Sequence, residues 1–205
     1  MKTEPVDNFD RIEDLLNFRT DDDFYFLQII QRKKDRKKGK VNGTNNNSRL
    51  IKSYQVRSKE YYRFIEPEVK ELCNVFHARA GIDLNRRSYE AIALRTLQKV
   101  TDQIINKDFN KVHKAYDSVC GNHSHEDKAS KRWILDVDDI GRASNDIVLF
   151  AERECRPIGA KYVATIPSKN GYHIIMTPFD LKKFSEYYPD IEVHKNNPTN
   201  LYIPV

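Results

Sequence analysis

The segment Arg132-Trp133-Ile134-Leu135-Asp136-Val137-Asp138-Asp139 constrains the fold more than any other stretch of this chain. Three large apolar side chains in a row read as a buried strand, yet the same run ends in acids. Alternation along a strand sends Asp136 and Asp138 to one side of a sheet. Two carboxylates so close repel each other unless something positive lies between them, and setting them beside a buried apolar run is costly without a partner. Hard divalent cations meet that need: Mg²⁺ commonly combines one or two carboxylates with substrate phosphates. An acid cluster in water, or one paired with Arg and Lys, is the plain alternative.

The rest of the chain alternates between helical and strand periodicities. Phe9, Ile12, Leu15, Leu16 and Phe18 recur at helical spacing, while residues 24–31 and 49–56 read as two strands of a long-looped hairpin. Ser58 caps a helix that runs through Tyr62, and Pro67 sits at the first turn of another, with Val69, Leu72, Cys73 and Phe76 as its buried stripe. Residues 78–85 form a short strand. Ser88 then caps a helix over 89–105, with Ile92, Leu94, Leu97, Val100, Ile104 and Ile105 on or near one face. After a polar stretch with a short helix at 111–119 comes the acid-ended strand, then a helix at 144–154 and strands at 160–167 and 172–178. A helix opened by Asp180 and stopped by Pro189 precedes two short strands. This pattern predicts one α+β domain over 1–205, a mixed or antiparallel sheet with helices packed against it. Residues 1–131 form its helical and hairpin part, and residues 132–205 its sheet-centred chemical half.

Composition narrows the setting. No run approaches the roughly 20 apolar residues of a membrane-spanning helix. The N-terminus carries acids and a proline where a signal peptide needs a basic flank and an apolar stretch. Cys73, Cys120 and Cys155 are widely spaced and odd in number, as free thiols in a reducing compartment are. A soluble, cytoplasmic protein is expected. The net charge of +5 is modest, but residues 32–40, RKKDRKKGK, hold seven basic side chains against one acid. Such a block either lies against phosphate or serves as a solubilising hairpin tip.

Two further segments carry chemistry. Ser168-Lys169-Asn170-Gly171-Tyr172-His173 lies between two strands. Gly171 allows a tight turn with positive φ, and flanking N–H groups can face an anion. Lys169 adds charge, Ser168 a hydroxyl and His173 a ring beside the turn. A hairpin turn with a satisfied histidine is the bland reading. Later, Ile191-Glu192-Val193-His194-Lys195-Asn196 places one more carboxylate on a short strand, ahead of Pro198-Thr199-Asn200-Leu201-Tyr202.

In this order and spacing the three segments resemble the catalytic core of the archaeo-eukaryotic primase superfamily: an Asp-x-Asp strand end, a Ser-x-His-like turn and a late hydrophobic-Asp motif. The turn is similar to that of primases and of bacterial ligase-associated polymerase domains, and the resemblance covers residues 132–205. It implies a primase- or polymerase-like nucleotidyltransferase working by two-metal phosphoryl transfer. Asp136, Asp138 and Glu192 would hold Mg²⁺ or Mn²⁺, while Ser168, Lys169 and His173 would contact the triphosphate. Glu192 departs from the family's Asp by one methylene, and Asp190 stands nearby as its rival. Arg79 and the Arg86-Arg87 pair become candidates for triphosphate or template contacts, or else ordinary ion-paired arginines. The partners implied are nucleoside triphosphates, a single-stranded template or primer-template, and a helicase or other replication protein.

Other readings compete. The run Leu135-Asp136-Val137-Asp138-Asp139 also looks like the first motif of haloacid-dehalogenase-type phosphatases, which begins a Rossmann-like domain. His113, Cys120, His123 and His125 include ligand types suited to zinc, although their spacing is irregular. A non-catalytic nucleic-acid-binding protein that keeps the primase-like fold is the third class.

Overall fold

The structure, a computed structural model, describes residues 4–32, 48–122, 130–139 and 141–205. Two antiparallel sheets organise it. The first joins β1 (Val6–Asp7), β10 (Thr199–Ile203), β4 (Arg79–Ile82), β2 (Asp23–Gln31) and β3 (Arg49–Val56) in that order, with β5 (Arg87–Ser88) also paired to β2. The second runs β7 (Tyr162–Pro167), β8 (Tyr172–Met176), β6 (Trp133–Val137), β9 (Glu192–His194). The α+β class expected from the sequence is present, and every strand pair among the described residues is antiparallel.

The second sheet is built from consecutive elements: β6, helix α5 (Ser144–Glu154), β7, β8, helix α6 (Leu181–Tyr187), β9. This β-α-β-β-α-β order, with β6 and β8 side by side in the middle, is the split β-α-β, ferredoxin-like arrangement. The chain then leaves that sheet. β10 crosses to the first one and pairs with β1 and β4, so the last strand of the sequence-defined C-terminal half belongs to the N-terminal sheet.

Strand alternation explains how the sheets meet. Trp133, Leu135 and Val137 of β6, with Ile174 and Met176 of β8, pack on Ile147 and Ala151 of α5 and Phe184 of α6. The opposite face presents Ile134, Ile166 and Ile175 to a core shared with Leu27 and Ile29 of β2 and Leu201 of β10. That core also takes Phe9 and Ile12 from helix α1 (Phe9–Glu13) and Tyr62, Ile65, Val69 and Cys73 from helix α2 (Lys59–Phe76). Apolar side chains from both halves of the chain fill one layer.

Pro67 lies inside α2 instead of opening a second helix. A proline within a helix costs about 3 kcal/mol, because it removes one hydrogen bond and crowds the preceding turn. Burial of Tyr62 and Ile65 before it and Val69 and Cys73 after it is worth about 1.5–3 kcal/mol for each large apolar side chain, so the helix continues through. Ser58 caps this helix by accepting from the Tyr61 N–H at 3.0 Å. Helix α3 (Tyr89–Ile105) is capped by Ser88 as expected, but its stripe faces outward: Ile92 is buried, whereas Leu94, Leu97, Ile104 and Ile105 are exposed. Residues Phe109–Lys114 form a 3-10 turn leading into helix α4 (Ala115–Asn122). No helix among the described residues is long and apolar enough to cross a membrane.

Candidate nucleotide and metal site

The alternation that sends Ile134 into the shared core sends Asp136, two residues on, into the same gap between the sheets. Its register partners are His173 on β8 and Glu192 on β9. Apolar filling therefore gives way, at the ends of these strands, to a polar cavity of about 130 Å³. It is lined by Asp136, Asp138, Ser168, Lys169, Asn170 and His173 from the second sheet and by Arg32, Arg79 and Asn200 from the first.

His173 lines it and is almost fully buried. Its Nε2 lies 3.4 Å from Asp136 Oδ1 and 3.2 Å from Asn200 Nδ2, while Nδ1 lies 2.9 Å from the Thr199 hydroxyl. The imidazole beside Asp136 holds its carboxyl below the ordinary carboxylate range; burial opposes this, and the charges of His194 and Arg32 add to it. Asp136 is thus an anion at neutral pH.

The Ser168–Gly171 turn works differently from its sequence reading. Gly171 does not adopt positive φ; among the described glycines only Gly159 does. What Gly171 supplies is the absence of a side chain. A β-carbon there would meet the backbone of Val137 and Asp138, with the carbons of both peptide groups at 3.0 Å or less. Its N–H donates to Ser168 Oγ at 3.1 Å and its carbonyl accepts from the Ser168 N–H at 3.0 Å. The turn is closed on itself, and that N–H is engaged within it.

The remaining candidates divide. Arg79 reaches the cavity from β4, although the resemblance covers only the C-terminal half. A neighbouring cavity of about 210 Å³ shares Arg79 and Lys169 with this one. Arg32, the first residue of the basic run, also lines the site, whereas residues 33–40 lie outside the described residues. Glu192 stands opposite Asp136 in register, but its side chain is exposed, 3.5 Å from His194 Nε2. Asp190 is taken by Arg142 at 2.6 Å, and Asp139 accepts from the Gly141 N–H.

Arg86 and Arg87 are not surface contacts. Both are buried: Arg87 pairs with Asp83 at 3.0 Å and donates to the carbonyls of Cys120 and Asn85, and Arg86 lies 3.5 Å from Asp23. In the zinc alternative, Cys120 is buried and its thiol is pushed up to about 11, and His123 and His125 lie outside the described residues. Among the described residues no group of three or more His, Cys, Asp or Glu side chains is set to hold a metal ion. The two carboxylates of Asp136 and Asp138 on one cavity wall, with cationic residues around them, still match the donor set of a Mg²⁺ that completes its shell with phosphate oxygens and water.

Sequence reasoning missed three contributors. Asn8 follows β1, and Thr199 and Asn200 open β10; each is an ordinary polar residue by itself. Asn8 Nδ2 donates to the carbonyls of Pro167 and Asn200, both at 2.9 Å, and so ties the start of the Ser168 turn to β10. Only the crossing of β10 to the first sheet makes these contacts, and no local pattern announces it. No protein-family model matches the chain, and no curated protein or solved structure matches it.

Proposed function

We propose that the protein is a primase- or polymerase-like nucleotidyltransferase that joins nucleotides on a nucleic acid. One observation carries this reading: Asp136, Asp138, Ser168, Lys169, His173 and Arg79, drawn from three separated segments, line a single cavity. The roles follow from chemistry. Asp136 and Asp138 are the carboxylates for Mg²⁺ or Mn²⁺, with Glu192 able to join only by swinging from solvent toward its register partner. When bound, two such ions activate an attacking 3′-hydroxyl and stabilise the leaving pyrophosphate. Lys169, Arg79 and Arg32 neutralise triphosphate charge, and His173 Nε2 faces the same space. A single-stranded template or primer-template, nucleoside triphosphates and a replication partner such as a helicase belong to this reading, as does a cytoplasmic setting.

A second reading has its own support. The outward Glu192 and the lack of a three-donor metal group among the described residues suit a nucleic-acid-binding protein of the same fold without turnover. The phosphatase reading fits poorly, since β6 lies in an antiparallel sheet and a Rossmann-like domain needs a mostly parallel one.

Incubation with labelled nucleotides, Mg²⁺ or Mn²⁺, and primed or unprimed single-stranded templates separates the three. Extension products that vanish in Asp136→Ala and Asp138→Ala support the transferase. Template binding without synthesis supports the binding protein, and phosphate release from a simple monoester supports the phosphatase.

A further inference from the structure

We infer that Thr199 and Asn200 are positioning residues that hold the His173 ring with Nε2 toward the cavity; the inference rests on the proposed role of His173 at phosphate. The ring stands on β8 of the second sheet, but its polar partners Thr199 and Asn200 come from β10 of the first. Thr199 is fully buried, and its hydroxyl lies 2.9 Å from Nδ1. Asn200, half-buried and next in sequence, reaches Nε2 at 3.2 Å.

An imidazole can turn half a revolution about its outer torsion and exchange its two sides at little cost in shape. What decides the orientation is which nitrogen finds a partner in the buried layer. The Thr199 hydroxyl supplies that partner at Nδ1, because a hydroxyl either donates or accepts as the ring requires. The other nitrogen is then left at the cavity, beside Asp136. Asn8 secures the arrangement by binding the Asn200 carbonyl and the Pro167 carbonyl together. The two sheets are thereby locked where the ring crosses between them.

The test is nuclear magnetic resonance of the full chain with ¹⁵N-labelled histidine, His173 being assigned by its loss in His173→Asn. Wild type shows distinct Nδ1 and Nε2 shifts, each set by its own partner. Thr199→Val keeps the β-branched shape of a strand residue and removes only the hydroxyl; it displaces the Nδ1 resonance, and Thr199→Ser restores it. Asn200→Ala, at the half-buried position, is the second probe, and it displaces the Nε2 resonance while leaving Nδ1 in place. Affinity for inorganic tripolyphosphate with Mg²⁺ falls about tenfold in Thr199→Val, equivalent to ~1.4 kcal/mol, and recovers in Thr199→Ser. Unchanged nitrogen shifts in both Thr199→Val and Asn200→Ala overturn the inference. Shifts that move while tripolyphosphate affinity stays constant uphold the positioning and refute the phosphate-binding reading of the cavity.

Discussion

A β-carbon added to Gly171 would stand 1.8 Å from the carbonyl oxygen of Val137. The obstacle is backbone, so no side-chain rotation relieves it, and the strand end that carries Asp136 and Asp138 must shift away from the turn that carries Ser168 and Lys169. Overpacking of this kind costs about 1–3 kcal/mol. Gly171→Ala is expected to lower the unfolding free energy by that amount and to weaken Mg²⁺-dependent nucleotide binding more than the stability loss explains. Retained affinity in the folded variant would show that the turn and the strand end act independently.

The buried Asp83–Arg87 pair holds β5 and α4 to the end of β4. Desolvation pushes the Asp83 carboxyl up, and Arg87 opposes it. Removing one partner leaves an uncompensated buried group, at a cost of about 3–5 kcal/mol. Chemical denaturation of Arg87→Met should show that loss, with part of it regained in the Asp83→Leu, Arg87→Met double variant. A loss below about 1 kcal/mol contradicts the pairing.

How much of this was legible beforehand differs by element. The hairpin strands, α3 and α5 carry clear periods, α3 with a Ser88 cap as well, and their bounds in the structure follow them closely. Two of the chemical segments were also readable, because Asp-x-Asp at a strand end and a Ser-Lys-Asn-Gly turn are local patterns, whereas Glu192 of the third faces solvent. Partner choice was not. Nothing around Thr199 says that β10 abandons its neighbours for β4, and nothing in Arg86-Arg87 reveals Asp23 and Asp83 as buried partners. The helical period of α3 marks an apolar face without saying what covers it, and its Leu94 and Leu97 stay exposed. Pro67 misleads for the opposite reason, since tertiary burial outweighs a local penalty.

The pH dependence of stability has a definite sign at Asp136. Its folded carboxyl titrates below the ordinary value, first because of His173. The ionised form therefore contributes stability above the unfolded carboxylate value near ~3.9, and that contribution disappears as pH falls through the lowered folded value. The side chain is partly exposed, so the effect stays within about 1 kcal/mol. Urea denaturation of wild type and Asp136→Asn should differ at pH 6 and converge at the acid end. A gap that widens on acidification reverses the assignment.

Burial pushes the Cys73 thiol up to about 12 and the Cys120 thiol up to about 11. Both stay protonated at pH 8, and the thiolate is the reactive form. In native protein, a colorimetric disulfide reagent should label these two cysteines only at the rate of unfolding, accelerating with urea. Prompt labelling of Cys120 in native buffer would place it outside the core.

The role proposed for Asp136 and Asp138 is to hold a divalent cation against a nucleotide's phosphates. Electron paramagnetic resonance of Mn²⁺, titrated into the protein with a nucleoside triphosphate present, tests it most directly. Wild type should deplete the free Mn²⁺ signal beyond what the nucleotide alone binds, and Asp136→Ala and Asp138→Ala should each abolish the excess while remaining folded. Equal Mn²⁺ uptake by wild type and both variants would contradict the claim.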